Sequence, residues 1–185
     1  MAVAIAMLRG VNVGGHHKIA MEALRALCES LGLRDPRTYV QSGNVVFRTE
    51  EPDLALLAGR IEDGIERTFG FRTSVILRTS SELRDVIRRN PFAARRGIEP
   101  SKLAVTFLAR DPGAAARDKV LRIKADPEEL RIEGREMFTY YPNGMARPKL
   151  SWAAVERVLK TPGTARNWNT VAKLIEMAES LEAPL

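Results

Sequence analysis

The chain has 185 residues, of which 45% are hydrophobic and 28% charged, with a single cysteine and a formal charge of +6. That length suffices for one large domain or two small ones burying roughly 70% of the unfolded surface, and the composition sets aside both disorder and a membrane-embedded fold. The lone Cys28 sets aside an internal disulfide and a cysteine-rich zinc site. The basic balance fits a phosphate-bearing partner, yet Arg60, Glu62, Asp63, Glu66 and Arg67 interleave as a solvated helix face does.

Ala2 to Leu8 is apolar, lacks a basic region before it and is far too short to span a bilayer, so it reads as a first strand and the cytoplasm is the expected compartment. A glycine-rich loop, Gly10 to Lys18, follows. Met21, Leu24, Leu27, Cys28 and Leu31 recur at helical spacing, with Gly32 as a stop, which turns Cys28 toward the core. Thr38 to Gln41 and Val45 to Arg48 read as strands around Ser42-Gly43-Asn44, where Gly43 and Asn44 tolerate the positive φ of a tight turn. Leu54, Leu57, Ile61, Ile65 and Phe69 mark a second amphipathic helix, and Thr73 to Leu77 a fourth strand. The order βαββαβ is the split, ferredoxin-like arrangement.

A short helix over Ser81 to Arg89, capped by Ser80 or Ser81, ends at Asn90-Pro91. The second half offers a strand at Leu103 to Leu108, a polar helix near Ala114 to Leu121 and a hairpin of Leu130 to Glu133 with Glu136 to Tyr140 about Gly134. Helices from about Leu150 to Leu159 and Asn167 to Ser180 close the chain. The expected organisation is α+β: a ferredoxin-like subdomain over residues 1–90, a linker over 91–101, and a smaller α+β subdomain over 102–185 with two C-terminal helices. No sequence repeat aligns the halves.

Three stretches are distinctive: LRGVNVGGHHKIAMEALRALCESLG from Leu8, TYVQSGNVVF from Thr38 and TARNWNTVAKL from Thr164, with Asn90-Pro91-Phe92 between them. They resemble the bacterial family catalogued as "domain of unknown function 1697". The resemblance covers nearly the whole chain and implies a cytosolic protein of two ferredoxin-like subdomains, with no established activity, substrate or cofactor. The sequence departs from the family pattern at Pro148, before Lys149-Leu150, and at His16 and His17.

In a ferredoxin-like sheet the first loop and the hairpin tip share one end, which also receives Gly70 to Arg72. Arg9, Asn12, Gly14, Gly15 and Lys18 would then stand before a helix N-terminus, whose free N–H groups and dipole favour an anion, with Gln41, Ser42 and Asn44 facing them. Arg9 and Asn44 are expected near the surface. The spacing matches neither a P-loop nor a dinucleotide fingerprint. The plainer reading is that the glycines turn the chain and the asparagines satisfy their own backbone. Arg166, Asn167 and Asn169 form a second candidate site, although Asn167 or Thr164 also suits a helix cap and Trp168 a core anchor.

Nothing in the sequence calls for a metal or a cofactor: Cys28 lies on a buried face, and His16-His17 lack a third ligand. The leading expectation is a small protein binding a phosphate- or nucleotide-like anion at the loop and hairpin end. Nucleic acid is weakly supported, since strand one has no aromatic and strand three only Phe47 for stacking a base. The alternatives are an acyl- or phosphoryl-transfer enzyme, by topological analogy with acylphosphatases and using Arg9 and Asn44, and a protein-interaction module using a sheet edge or Arg84 to Arg96. Sequence leaves ligand, activity and oligomeric state open.

Overall fold

A computed structural model of the chain describes residues 1–183. The strands are β1 (Ala2–Leu8), β2 (Arg34–Tyr39), β3 (Asn44–Thr49), β4 (Val75–Thr79), β5 (Leu103–Leu108), β6 (Glu129–Glu133), β7 (Glu136–Tyr140) and β8 (Gly163–Asn167). The helices are α1 (Met21–Ser30), α2 (Leu54–Phe69), α3 (Ser80–Arg88), α4 (Ala114–Leu121), α5 (Trp152–Leu159) and α6 (Trp168–Glu182). The chain divides into two compact units, Met1–Asp85 with Lys173–Leu185, and Val86–Ala172.

The first unit holds an antiparallel sheet in the order β2-β3-β1-β4, the ferredoxin-like order for a βαββαβ chain. Ala4, Ala6 and Leu8 of β1, with Val45 and Phe47 of β3, meet Leu24 and Leu27 of α1 and Leu57, Ile61 and Ile65 of α2. Each large aliphatic side chain buried there stabilises by about 2 kcal/mol. Val3, Ile5 and Met7 on the opposite face are buried too, so β1 reads as an unbroken apolar run rather than an alternating one. Alternation puts Arg48 of β3 on that same opposite face, where its guanidinium donates to the Leu181 carbonyl. Arg84 pairs with Glu179 (3.3 Å) and Glu182, and Ser80 donates to Glu182, which fixes the last turns of α6.

The second unit repeats the plan as β5-α4-β6-β7-α5-β8, in the sheet order β6-β7-β5-β8. Its core joins Leu108, Val120, Leu130, Met137, Val155 and Leu159. The hydrogen-bond register makes the correspondence explicit. Leu8 N–H donates to Gly43 O as Leu108 N–H does to Arg135 O, and Arg9 N–H to Ser74 O as Ala109 N–H does to Pro162 O. Arg78, opposite Ile5, and Arg166, opposite Val105, therefore occupy equivalent and buried positions in β4 and β8.

Several local expectations are corrected. Gly163–Asn167 is a strand, where only the approach to a helix was expected; Gly-Thr-Ala-Arg-Asn has no apolar alternation, and pairing with β5 alone specifies it. The β2–β3 turn starts at Val40, which takes the positive φ (52°) expected of Asn44; Asn44 opens β3 instead. β4 begins at Val75, two residues later than expected, and ahead of it the Thr73 hydroxyl donates to the Arg9 carbonyl. Thr79, not Ser80 or Ser81, caps α3: its Oγ1 accepts from Glu82 N–H (3.1 Å) while the Glu82 carboxylate accepts from Thr79 N–H (2.8 Å), a reciprocal capping box.

Candidate functional site

Where β1 leaves the sheet, residues 12–17 fold back into a miniature hairpin. Asn12 N–H donates to His17 O (3.1 Å) and His16 N–H to Val13 O (3.0 Å). Gly14 (φ 58°) and Gly15 (φ 77°) form its tip, where a two-residue turn of this hand requires positive φ at both positions. The His17 ring stacks on Phe71 at 4.4 Å, tying the hairpin to the loop before β4.

The Asn12 side chain fixes this loop in place. Its Nδ2 donates to Ile19 O (2.9 Å) and Gln41 O (2.7 Å), and its Oδ1 accepts from Ile19 N–H (2.9 Å). One residue thereby joins the glycine-rich loop, the entry to α1 and the β2–β3 turn. The Asn44 amide is likewise committed, to Tyr39 O (3.0 Å) and Ser42 Oγ (3.2 Å), and Asn44 is 0% exposed, contrary to its expected surface position. Arg9 is half-buried. Arg72 is drawn back along α2 by Asp63 (2.7 Å), Glu66 (2.8 Å) and Glu62 (3.2 Å), so it does not add a charge to this end.

An open depression of about 430 Å³ remains, lined by Asn12, Gly15, Lys18, Ile19, Ala20 and Gln41. Four of the residues selected from sequence line it; Arg9, Gly14, Ser42 and Asn44 are not among its lining residues. Ile19 and Ala20, which also line it, were missed; the only signal for them was their position just before α1. At the N-terminus of α1 no side chain caps the free amides, in contrast to α2, where Asp53 accepts from Ala55 and Leu56 N–H (3.0 Å each). Val40 adds backbone strain beside Gln41: a β-branched residue held in the left-handed region costs on the order of 1–3 kcal/mol.

In the second unit, Arg166 is buried and donates to Thr164 Oγ1 (2.7 Å) and Ala165 O (2.9 Å), and burial pulls its pKa down to about 10. Asn167 donates to Ser101 O (2.9 Å) and accepts from Asn169 N–H (2.9 Å), capping α6, while the Asn169 side chain is exposed. The three side chains thus face different surroundings. Cys28 is buried, and that burial pushes its thiol up to about 12, so it is a poor nucleophile. Among the described residues no group of three His, Cys, Asp or Glu side chains is placed to hold a metal ion, and no helix is long and apolar enough to cross a membrane.

The family described as "Protein of unknown function (DUF1697)" matches residues 1–138. The chain belongs to the DUF1697 family. Among solved structures it is similar to the conserved bacterial protein SP0830 from Streptococcus pneumoniae, at 22% identity and a TM-score of 0.71, over 97% of this chain and 99% of that one. At that identity the likeness concerns the fold, which this DUF1697 chain shares across both units. No curated protein matches the chain.

Proposed function

We propose that this DUF1697 protein binds a small anion, a phosphate or the phosphate of a nucleotide-like ligand, in the depression between the glycine-rich loop and the β2–β3 turn. The observation that carries the reading is the uncapped N-terminus of α1 opening beside Lys18 and Gln41, on a loop that Asn12 holds by three hydrogen bonds. Free helix amides and a lysine supply donors and positive potential for an anion. Exposed Ala20 gives the rest of a ligand an apolar contact, and about 430 Å³ lies within the range of small-molecule sites. Exposed Glu22 in the first turn opposes a second negative charge and keeps affinity modest.

Acyl- or phosphoryl-transfer at the same place is less well supported, because the Asn44 amide that such a mechanism would use is buried in the turn. Titration of the purified protein with inorganic phosphate and with mononucleotides, followed by calorimetry, tests binding. Lys18→Ala removes one charge-assisted contact of about 1.5–3 kcal/mol and is expected to weaken binding ten- to a hundredfold, whereas Glu22→Gln strengthens it. Affinity indifferent to both changes, or no binding of either probe, refutes the site.

A further inference from the structure

The formal charge of +6 is unevenly divided between the two units. The second unit, Val86–Ala172, holds 17 Lys and Arg against 9 Asp and Glu, a net +8, whereas the first holds 12 against 14, a net −2. The anion depression thus lies in the unit of net negative charge. A basic excess confined to the other unit favours a polyanionic partner there, through long-range attraction.

Part of that excess gathers at one end of the second unit. Arg95, Lys102 and Arg117 pair with Glu129, Glu99 and Asp111, but Arg122, Lys124, Arg147 and Lys149 are exposed and form no ion pair among the described residues. Ile123 and Ala125, just after α4, pack into the same core cluster as Leu150 and Trp152, which leaves Arg122, Lys124 and Lys149 at the surface beside them. Glu128 N–H donates to Ala125 O (2.8 Å) and Lys149 N–H to Glu128 Oε1 (2.9 Å), so Glu128 ties the exit of α4 to the loop that carries Arg147. Exposed Asp126 offsets part of the charge.

The α4 dipole accounts for a cation such as Arg122 near its C-terminal end, but not for Arg147 and Lys149 on the loop. A membrane is a poorer fit than a nucleic acid: interfacial binding buries an apolar face, and Leu121 is the only large hydrophobic residue exposed in this unit among the described residues. Trp152 packs against the core and Tyr141 is half-buried, so neither offers an open ring to an unpaired base. We propose that Arg122, Lys124, Arg147 and Lys149 form a surface that binds the phosphate backbone of a nucleic-acid duplex without reading its sequence. Four cations set against four phosphates release counterions, so the logarithm of the association constant falls with that of salt concentration at a slope of about −3 to −4.

Fluorescence anisotropy of a labelled DNA duplex of about 20 base pairs, titrated with the full chain at several salt concentrations, measures that slope. Arg147→Ala with Lys149→Ala removes only exposed side chains, so it leaves the melting temperature unchanged, brings the slope to about −2 and weakens binding at least tenfold at about 0.1 M salt. Arg122→Ala with Lys124→Ala has the same effect. Lys18→Ala, in the first unit, changes neither slope nor affinity, which separates this surface from the anion depression. No binding of the duplex at about 0.05 M salt overturns the proposal, as does a wild-type slope in either paired variant or a loss in Lys18→Ala equal to theirs. Binding to vesicles containing phosphatidylserine and not to the duplex overturns it in favour of a membrane surface.

Discussion

Replacing Gly43 with alanine tests the geometry at the junction of β1 and the β2–β3 turn. Gly43 has a φ of 85°, a conformation that costs an L side chain about 1–2 kcal/mol. A Cβ there would also stand 2.9 Å from the Cβ of Leu8 and 3.4 Å from its Cδ2. Leu8 is 0% exposed, packed in the core, and its N–H is bonded to Gly43 O at 2.9 Å, so neither partner has room to withdraw. Overpacking a fixed contact of this kind adds about 1–3 kcal/mol, for a total near 2–5 kcal/mol. Gly15→Ala is the control: its φ is 77°, but an added Cβ meets nothing within 4 Å, so only the conformational cost applies. Urea unfolding followed by circular dichroism should show a midpoint for Gly43→Ala well below that of Gly15→Ala at an unchanged m-value. Equal midpoints for the two variants would refute the close approach of Leu8 and with it the placement of this turn.

Asn12→Ala removes three hydrogen bonds that no other side chain replaces, so it should destabilise by about 2–4 kcal/mol and raise amide exchange at Ile19; wild-type exchange there would show that Asn12 is not the clasp. Thr79→Ala dissolves the α3 capping box and should cost about 1 kcal/mol by urea midpoint, more than Ser81→Ala, whose side chain is exposed. Cys28 titrates near 9 when unfolded and at about 12 when folded. Because the folded state retains the proton, this group's stabilising contribution is complete below pH 9 and is lost as pH rises toward 12. The stability of Cys28→Ala relative to wild type should therefore improve across that window, and a flat difference would place the thiol nearer solvent.

What could be read from the sequence divides by the range of the interaction responsible. Leu54, Leu57, Ile61, Ile65 and Phe69 recur at helical spacing, so α2 is legible in the sequence, while the structure shows its ends set by Asp53, which caps the first turn, and Gly70, which ends the helix with φ 80°. The first unit's strand order followed from its βαββαβ sequence. β8 was not legible, because its strand character comes from β5 rather than from its own residues. The repeated plan of the second unit is implied by the family resemblance and not by any alignable repeat: positions such as Gly43 and Arg135 share hydrogen-bond register while differing in residue type.

The same division governs the site. That the glycine-rich loop and the hairpin tip share one end was a consequence of topology, and it was reachable from element order alone. Whether a polar side chain there is available to a ligand depends on partners far along the chain: Asn12 is claimed by a carbonyl twenty-nine residues away, and Asn44 by the turn it closes. Glu128 makes the converse case, an ordinary surface-type residue in sequence that the fold buries with one oxygen unmatched among the described residues. Polar residues in turn motifs are therefore poor guides to binding unless their hydrogen-bonding capacity is first counted. Applied here, that count withdraws Asn12 and Asn44 from direct ligand contact and leaves Lys18, Gln41 and the open amides of α1 as the groups on which anion binding rests.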